Sequence, residues 1–168
     1  MSRLPRTLMV LACLGFVAAM LTAPGAQIGG ESPEYDERVR KILKEEDVQY
    51  TIDNDGDFKV IYKMGDVRTQ MAFIRSTTET FRNLEIREIW SFGYESPTDV
   101  FPAEVASQLL EDSFVKKLGA WGKAGRRAVF VVRVAANADN ESLIAVLELA
   151  LSVADEMEEK LSGDTDEF

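Results

Sequence analysis

The sequence predicts an α+β domain, with an antiparallel sheet of about five strands and helices at its N-terminus, its middle and its C-terminus. Residues Ala128–Ala135 form an apolar run rich in β-branched side chains, which is typical of a buried strand. From Leu143 the apolar residues recur at helical spacing, which predicts a long helix over Asn140–Leu161. Further upstream, the period-two alternation of Phe58–Met64 is the pattern of a strand in a half-buried sheet.

The first 26 residues are predicted to be a secretory signal peptide. Met1–Thr7 carries two arginines and no acid, Leu8–Leu21 is apolar, and Thr22–Ala26 is rich in small residues. The apolar run is shorter than the roughly 20 residues that span a bilayer, although an uncleaved anchor is the alternative. We therefore expect an exported protein, periplasmic or secreted, with no membrane attachment after cleavage. Residues 27–34 would be a flexible leader, 35–162 the domain and 163–168 an acidic tail.

The composition limits the chemistry expected of the mature chain. The sequence has no histidine, and its single cysteine, Cys13, lies in the predicted signal peptide. Disulfides, thiol or imidazole catalysis and ordinary zinc or copper sites are therefore not expected, and neither is a cofactor. The formal charge is −10 and becomes more negative when the two signal arginines are removed. This charge disfavours nucleic acid and anionic membranes as partners.

The N-terminal half is predicted to contain one helix and most of the sheet. A first helix is expected over Tyr35–Glu46, with its charged residues on a solvated face. The acidic residues between the first two strands fit a hairpin turn better than a calcium loop, because Gly56 precedes Asp57 instead of following the third acidic ligand. The strands and connections expected here are Val48–Ile52, Phe58–Met64, Val67–Thr77, a polar link at Thr77–Thr80, and Asn83–Tyr94.

The Asn83–Tyr94 strand carries a row of apolar residues that includes three aromatic ones, Trp90, Phe92 and Tyr94. Glu88 interrupts the apolar side of this strand and Ile89 interrupts its polar side, so a bulge is expected near Arg87–Ile89. We interpret the aromatic row as the core-facing side of the sheet, with a ligand platform as the alternative.

The C-terminal half is predicted to contain a helix, one or two strands and the long last helix. The middle helix, Ala103–Phe114, is expected to direct Val105, Ala106, Leu109, Leu110 and Phe114 inward, and a short strand follows around Leu118–Trp121. Asp139 or Asn140 is expected to cap the last helix. Its apolar arc of roughly 220° is about twice that of a helix with one buried stripe. Either this helix is wedged between the sheet and other helices, or its outer part, with Leu149 and Val153, forms a homodimer seam.

Three local patterns in this order of elements resemble the YbjN family, over roughly Asp36–Leu161. They are the Asp55-Gly56-Asp57 turn entering an alternating strand, the Leu109-Leu110 helix running toward Leu118–Trp121, and the strand-to-helix join at Arg133–Leu143. The resemblance implies a type III secretion chaperone-like fold. Members of this family are described as sensory-transduction regulators. The related chaperones are small acidic dimers that hold partner segments along their surfaces.

We therefore expect a non-enzymatic, exported binding module that engages a protein partner, in particular a basic or partly unfolded segment, and that forms a homodimer if the seam exists. The candidate partner surface comprises Trp90, Phe92, Tyr94, Leu149 and Val153, and no catalytic, cofactor-binding or metal-binding residue is predicted. The alternative is an enzyme or small-ligand carrier that uses carboxylates, lysine and tyrosine. Its pocket would be bounded by the three aromatic residues and Trp121, with Arg87 and Glu88 converging in it.

Overall fold

The computed structural model describes residues 34–163 and 166–168, so the predicted signal peptide and residues 27–33 of the predicted leader lie outside the described residues. The described part contains three helices and six strands. In chain order they are α1 (Glu37–Glu45), β1 (Tyr50–Ile52), β2 (Phe58–Met64), β3 (Arg68–Phe81), β4 (Leu84–Glu95), α2 (Ala103–Val115), β5 (Ala120–Ala124), β6 (Arg127–Ala135) and α3 (Asn140–Ser162).

All six strands form one antiparallel sheet in the order β1-β2-β3-β4-β6-β5. The long strands β3, β4 and β6 lie in the middle, and Trp90 of β4 pairs with Phe73 of β3 on one side and Val131 of β6 on the other. The predicted α+β class and the positions of its three helices are confirmed. The sheet has six strands instead of about five.

The core lies between the sheet and α3, which packs across β3, β4 and β6. Leu147 and Ala150 of α3 are fully buried, as are Phe58, Ile74 and Ile89 of the sheet. Burial of a Leu, Ile or Phe side chain contributes roughly 1.5–3 kcal/mol, so this layer supplies most of the stabilising burial. The face of the sheet that packs against helices is called the inner face below, and the opposite one the outer face.

The wide apolar arc of α3 is explained by its contacts with more than one element. Val39 and Leu43 of α1 belong to the same buried cluster as Leu143 and Leu147 of α3, and α3 packs on four strands of the sheet, β2, β3, β4 and β6. Its start is fixed by Asp139, whose carboxylate accepts a hydrogen bond of 2.9 Å from the backbone N–H of Ser142. The choice between a wedged helix and a homodimer seam stays a prediction.

Strands β3 and β4 differ from the prediction in length and register. β3 continues to Phe81, through the expected polar link at Thr77–Thr80, and the chain reverses at Arg82, which has a φ of 56°. The pairing of β3 with β4 shifts between Ile74 and Thr78, opposite Glu88. An irregularity is thus present beside the segment where a bulge was expected, in the neighbouring strand.

The interpretation of the aromatic row of β4 as core-facing is wrong for Trp90 and Phe92. The buried residues at this end of β4 are Ile89, Ser91 and Gly93, which face the helices. A Cβ atom at Gly93 would lie 2.9 Å from the carbonyl oxygen of Ala154 in α3, so only a glycine allows α3 to approach this closely. The small residues therefore take the inner face, and Trp90 and Phe92 take the outer one.

Helix α2 also differs from the prediction. Leu109 is its only buried residue, whereas Leu110 and Phe114, expected to point inward, are 71% and 91% exposed. The helix touches the sheet mainly through β5 at the edge, which gives it a narrow contact. Its remaining apolar side chains consequently stay at the surface.

Candidate functional site

The outer face is formed by alternate residues of β2, β3, β4 and β6, and no helix of residues 34–163 packs on it. Its apolar centre contains both aliphatic and aromatic side chains from all four strands. Ile61 is 58% exposed, and the four residues Met71, Phe73, Trp90 and Phe92 are half-buried. The members of this centre are Ile61, Met71, Phe73, Trp90 and Phe92, together with the buried residues Val129 and Val131. An apolar sheet surface exposed in this way is typical of an interaction site.

The register of the strands brings the aromatic side chains together. Phe73 pairs with Trp90 across β3 and β4, and the rings of Phe73 and Phe92 meet edge to face with their centroids 5.9 Å apart. Such edge-to-face pairs add roughly 0.5–1.5 kcal/mol to the burial of the rings. The aromatic centre is therefore ordered before any partner binds.

Charged residues hold Trp90 in a fixed position. Its indole N–H donates a hydrogen bond of 2.8 Å to Glu88, and the other carboxylate oxygen of Glu88 lies 2.6 Å from Arg133. The guanidinium of Arg75 sits over the indole ring, 4.6 Å from its centroid, and also lies 2.9 Å from the carboxylate of Asp57. Arg75 thus joins a buried acid to the exposed aromatic ring by a cation–π contact.

The outer face carries slightly more basic than acidic side chains, although the protein as a whole is acidic. Five basic side chains occupy outward positions of β2, β3 and β6: Lys59, Lys63, Arg75, Arg127 and Arg133. Four acids lie on the same side: Asp57 just before β2, Glu79 of β3, and Glu88 and Glu95 of β4. Three of these acids are paired with Arg75, Arg133 and Arg127, so Lys59 and Lys63 are the basic residues of this face that have no partner among the described ion pairs. Burial raises the pKa of Asp57, and Arg75 opposes that rise. The net charge of the chain is therefore not the charge of this face, and the expectation of a basic partner stays a prediction.

The acidic segment Asp166–Phe168 folds back onto the edge of the outer face. The ring of Phe168 lies 5.9 Å, centroid to centroid, from that of Phe92, and the guanidinium of Arg127 lies 5.4 Å from the Phe92 centroid. Asp166 accepts hydrogen bonds of 3.2 Å from the backbone N–H and the hydroxyl of Thr69 at the start of β3. The protein thus places one of its own acidic and aromatic segments on its aromatic surface, beside Arg127.

A buried carboxylate anchors this segment. Glu158 of α3 is fully buried and accepts a hydrogen bond of 2.6 Å from the backbone N–H of Glu167, while Arg68 lies 2.9 Å away. Burial raises the pKa of Glu158, and the hydrogen bond from Glu167 and the charge of Arg68 oppose that rise. The position of the segment therefore depends on an ion pair between β3 and α3.

A buried arginine lies on the inner face. Arg87 is 1% exposed; it contacts the carboxylate of Asp36 and the carbonyl oxygens of Arg75 and Ser76. Burial acts to raise the pKa of Asp36, but hydrogen bonds from Arg38 and Arg87 outweigh it and hold this pKa below its usual value. These contacts connect the start of α1 to the irregular segment of β3, so the role of Arg87 is structural.

The pocket expected for an enzyme or a ligand carrier is not assembled from the residues named for it. Trp90 and Phe92 lie on the outer face, whereas Tyr94 and Trp121 pack on the inner side with Met157. Arg87 and Glu88 are successive residues of β4 and point to opposite faces. This division follows from a shift in the pairing of β4 with β6 between Phe92 and Tyr94, at Gly93, which places Tyr94 on the inner side.

The residues predicted for the partner surface thus fall into three groups. Trp90 and Phe92 form part of the outer face. Tyr94 is half-buried against Phe101, with ring centroids 5.9 Å apart. Leu149 is half-buried against the main core, and Val153 is 3% exposed, so Val153 is a core residue and its assignment to a surface is wrong.

Sequence reasoning missed Phe73, Arg75 and Phe168 as members of the site. Phe73 precedes Arg75 by two residues in a strand, which is the signal that would have placed both on one face. Phe168 carried no such signal, because its contact with Phe92 depends on the path of a non-regular segment.

Two searches of the described residues were negative. Among residues 34–163 and 166–168, no group of three or more acidic side chains is arranged to hold a metal ion. In the same part of the chain, no helix is both long enough and apolar enough to cross a membrane.

Comparison with models of known protein families gave no match, and comparison with curated proteins gave none. The resemblance to the YbjN family therefore stays a prediction.

Proposed function

We propose that the protein is a non-enzymatic binding module that holds an extended, acidic and aromatic segment of a partner protein on the outer face of its sheet. One observation carries the proposal: an aromatic and aliphatic centre formed around Trp90 and Phe92 is partly exposed and bordered by basic side chains in an otherwise acidic protein. Apolar contacts would supply affinity, and the basic frame would select acidic segments and speed their association.

The pairing of the charged groups favours binding over catalysis. Glu88 is paired with both Arg133 and the indole N–H of Trp90, and Asp57 is paired with Arg75. A general acid or base must reach a substrate proton, whereas these groups are used to orient the aromatic centre. We accordingly retain the non-enzymatic function as the proposal and the carboxylate- or lysine-based enzyme as its alternative.

The setting of this function follows from the N-terminal sequence. We propose that the module works after export, in the periplasm or outside the cell, and that it engages proteins instead of nucleic acid or membranes. A regulatory function within this framework would consist of sequestering or releasing the bound partner segment. A homodimer also stays a proposal; of the two residues expected in its seam, Val153 is buried and Leu149 is half-buried.

Selection from a library of displayed random peptides tests the proposal, with two matched variants of the mature chain. Ile61→Glu places a charge in the outer face, and Phe114→Glu places the same charge on α2; both side chains are exposed, so both variants should fold. We expect selected peptides to be enriched in acidic and aromatic residues, and Ile61→Glu to weaken their binding at least about tenfold while Phe114→Glu leaves it unchanged. Peptides without this composition, or loss of binding in Phe114→Glu alone, would refute the proposal.

A further inference from the structure

We infer that the acidic segment Asp166–Phe168 is an internal ligand of the outer face, so that a partner segment of similar acidic and aromatic chemistry must displace it in order to bind. This inference rests on the proposed function, because it assigns an occupant and a form of regulation to the same surface. It goes further in naming the ligand chemistry from a segment that already lies on the face.

Three separate contacts hold the segment, and each one matches a general feature of peptide recognition. The ring of Phe168 meets Phe92 at the aromatic centre. The carboxylate of Asp166 takes up the free backbone N–H and hydroxyl of Thr69. Between them, the backbone N–H of Glu167 is bound by the buried carboxylate of Glu158. An aromatic anchor, an acidic contact and a main-chain contact together define a segment of acidic residues next to an aromatic one.

The segment covers only one end of the outer face. It lies over Phe92 and beside Met71 and Arg127, whereas Ile61 on β2 keeps more than half of its surface exposed. A longer partner segment could therefore occupy both the Phe92 end and the region between Trp90 and Ile61. The internal ligand has fewer contacts than such a partner, so it would compete without blocking the face permanently.

The strength of the competition depends on the covalent link between the segment and α3. A ligand attached by a short linker has an effective concentration in the millimolar range, which is enough to populate a weak complex. The apparent dissociation constant of an external ligand is its intrinsic value divided by the fraction of molecules with a free face. Removal of the segment should therefore tighten the binding of external acidic and aromatic peptides.

The test measures the binding of one synthetic peptide, with the sequence of residues 163–168 and blocked ends, to three forms of the mature chain by fluorescence anisotropy. The first form is the full chain and the second ends at Ser162. The third carries Asp166→Ala and Phe168→Ala, which keep the backbone contact with Glu158. We expect the shortened and the doubly substituted chains to bind the peptide at least about fivefold more tightly than the full chain.

Two controls make the result specific. A peptide with alanine in place of its phenylalanine should bind the shortened chain at least about fivefold more weakly, because it lacks the ring that meets Phe92. Lys160→Ala, at an exposed position of α3, should bind the original peptide as the full chain does. Circular dichroism establishes that each form is folded before its affinity is measured.

The outcomes separate the inference from the function on which it rests. Equal affinity of all three forms for the peptide would overturn the internal-ligand inference. It would also be overturned if the shortened chain failed to bind this peptide while it still bound display-selected acidic peptides in an Ile61-dependent manner; the proposed function would then stand. If the shortened chain bound neither kind of peptide, the inference and the proposed function would both be wrong.

Discussion

The ion pair between Arg87 and Asp36 provides a stringent test of the inner face. Asp36→Ala leaves the guanidinium of Arg87, which is 1% exposed, without its carboxylate partner. Removing one member of a buried ion pair costs about 3–5 kcal/mol, because the other charge stays buried and unpaired. Asp36 also caps α1 by accepting a 2.8 Å hydrogen bond from the N–H of Arg38, and the loss of such a cap costs about 1 kcal/mol. The expected total is about 4–6 kcal/mol.

The assay is urea unfolding of the mature chain followed by circular dichroism, with Asp139→Ala as the matched control. Asp139 caps α3 through the N–H of Ser142 but has no ion-pair partner among the described contacts, so its loss should cost only about 0.5–2 kcal/mol. Adding Arg87→Met to Asp36→Ala should restore part of the lost stability, because it removes the unpaired charge. The reasoning is refuted if Asp36→Ala is no more damaging than Asp139→Ala, or if the double variant is less stable than Asp36→Ala.

Three further predictions concern the core, the pH dependence and the oligomeric state. Leu147→Ala, at a fully buried site, should lower the free energy of unfolding in urea by about 2–5 kcal/mol. Leu110→Ala, at a 71% exposed site, should lower it by about 0.5 kcal/mol or less. Similar losses in the two variants would contradict the packing of α3. Burial raises the pKa of Glu158 in the folded state, so acidification through that pKa should stabilise the parent chain relative to Glu158→Gln. A stability difference that stays constant as the pH falls from neutral to the ordinary glutamate pKa of 4.5 would contradict this. Because Val153 is buried, Val153→Ala should lower the free energy of unfolding and leave the molar mass measured by light scattering unchanged. A change in that mass would instead support a homodimer seam on α3.

Much of the architecture could be predicted because it depends on periodicity within single segments. The spacing from Leu143 placed α3 to within one residue of its observed end, and the run at Ala128–Ala135 placed β6 equally well. The observed N-cap of α3, Asp139, is one of the two residues predicted for it, the other being Asn140. These features depend on the local preferences of helices and strands, which are encoded within about ten residues.

The side of β4 that is buried against the helices could not be predicted in the same way. Both sides of this strand carry large apolar residues, with Ile89 on one and Trp90 on the other, so alternation alone does not decide which side is buried. The buried side is determined by packing against α3, because the carbonyl oxygen of Ala154 lies too close to position 93 for any residue but glycine. A contact between residues so far apart in sequence is not visible in a single strand pattern.

The charge of the outer face was also hidden from composition. The net charge of the chain is −10, yet the strands place basic residues such as Lys59, Arg127 and Arg133 on one side of the sheet. Net charge describes the whole surface, whereas a partner meets one part of it. The proposal of an acidic partner segment therefore rests on the strand register, whereas the expectation of a basic partner rests on composition.

Nuclear magnetic resonance can locate a bound segment on the sheet, and we propose that partner segments bind to its outer face. The backbone amide signals of the mature chain shortened after Ser162 would be recorded during titration with the peptide of residues 163–168. We expect the largest chemical-shift changes in β3, β4 and β6, around Phe73, Trp90 and Phe92. Shifts confined to α2, around Leu110 and Phe114, would contradict it, because the ligand would then occupy the other exposed apolar surface.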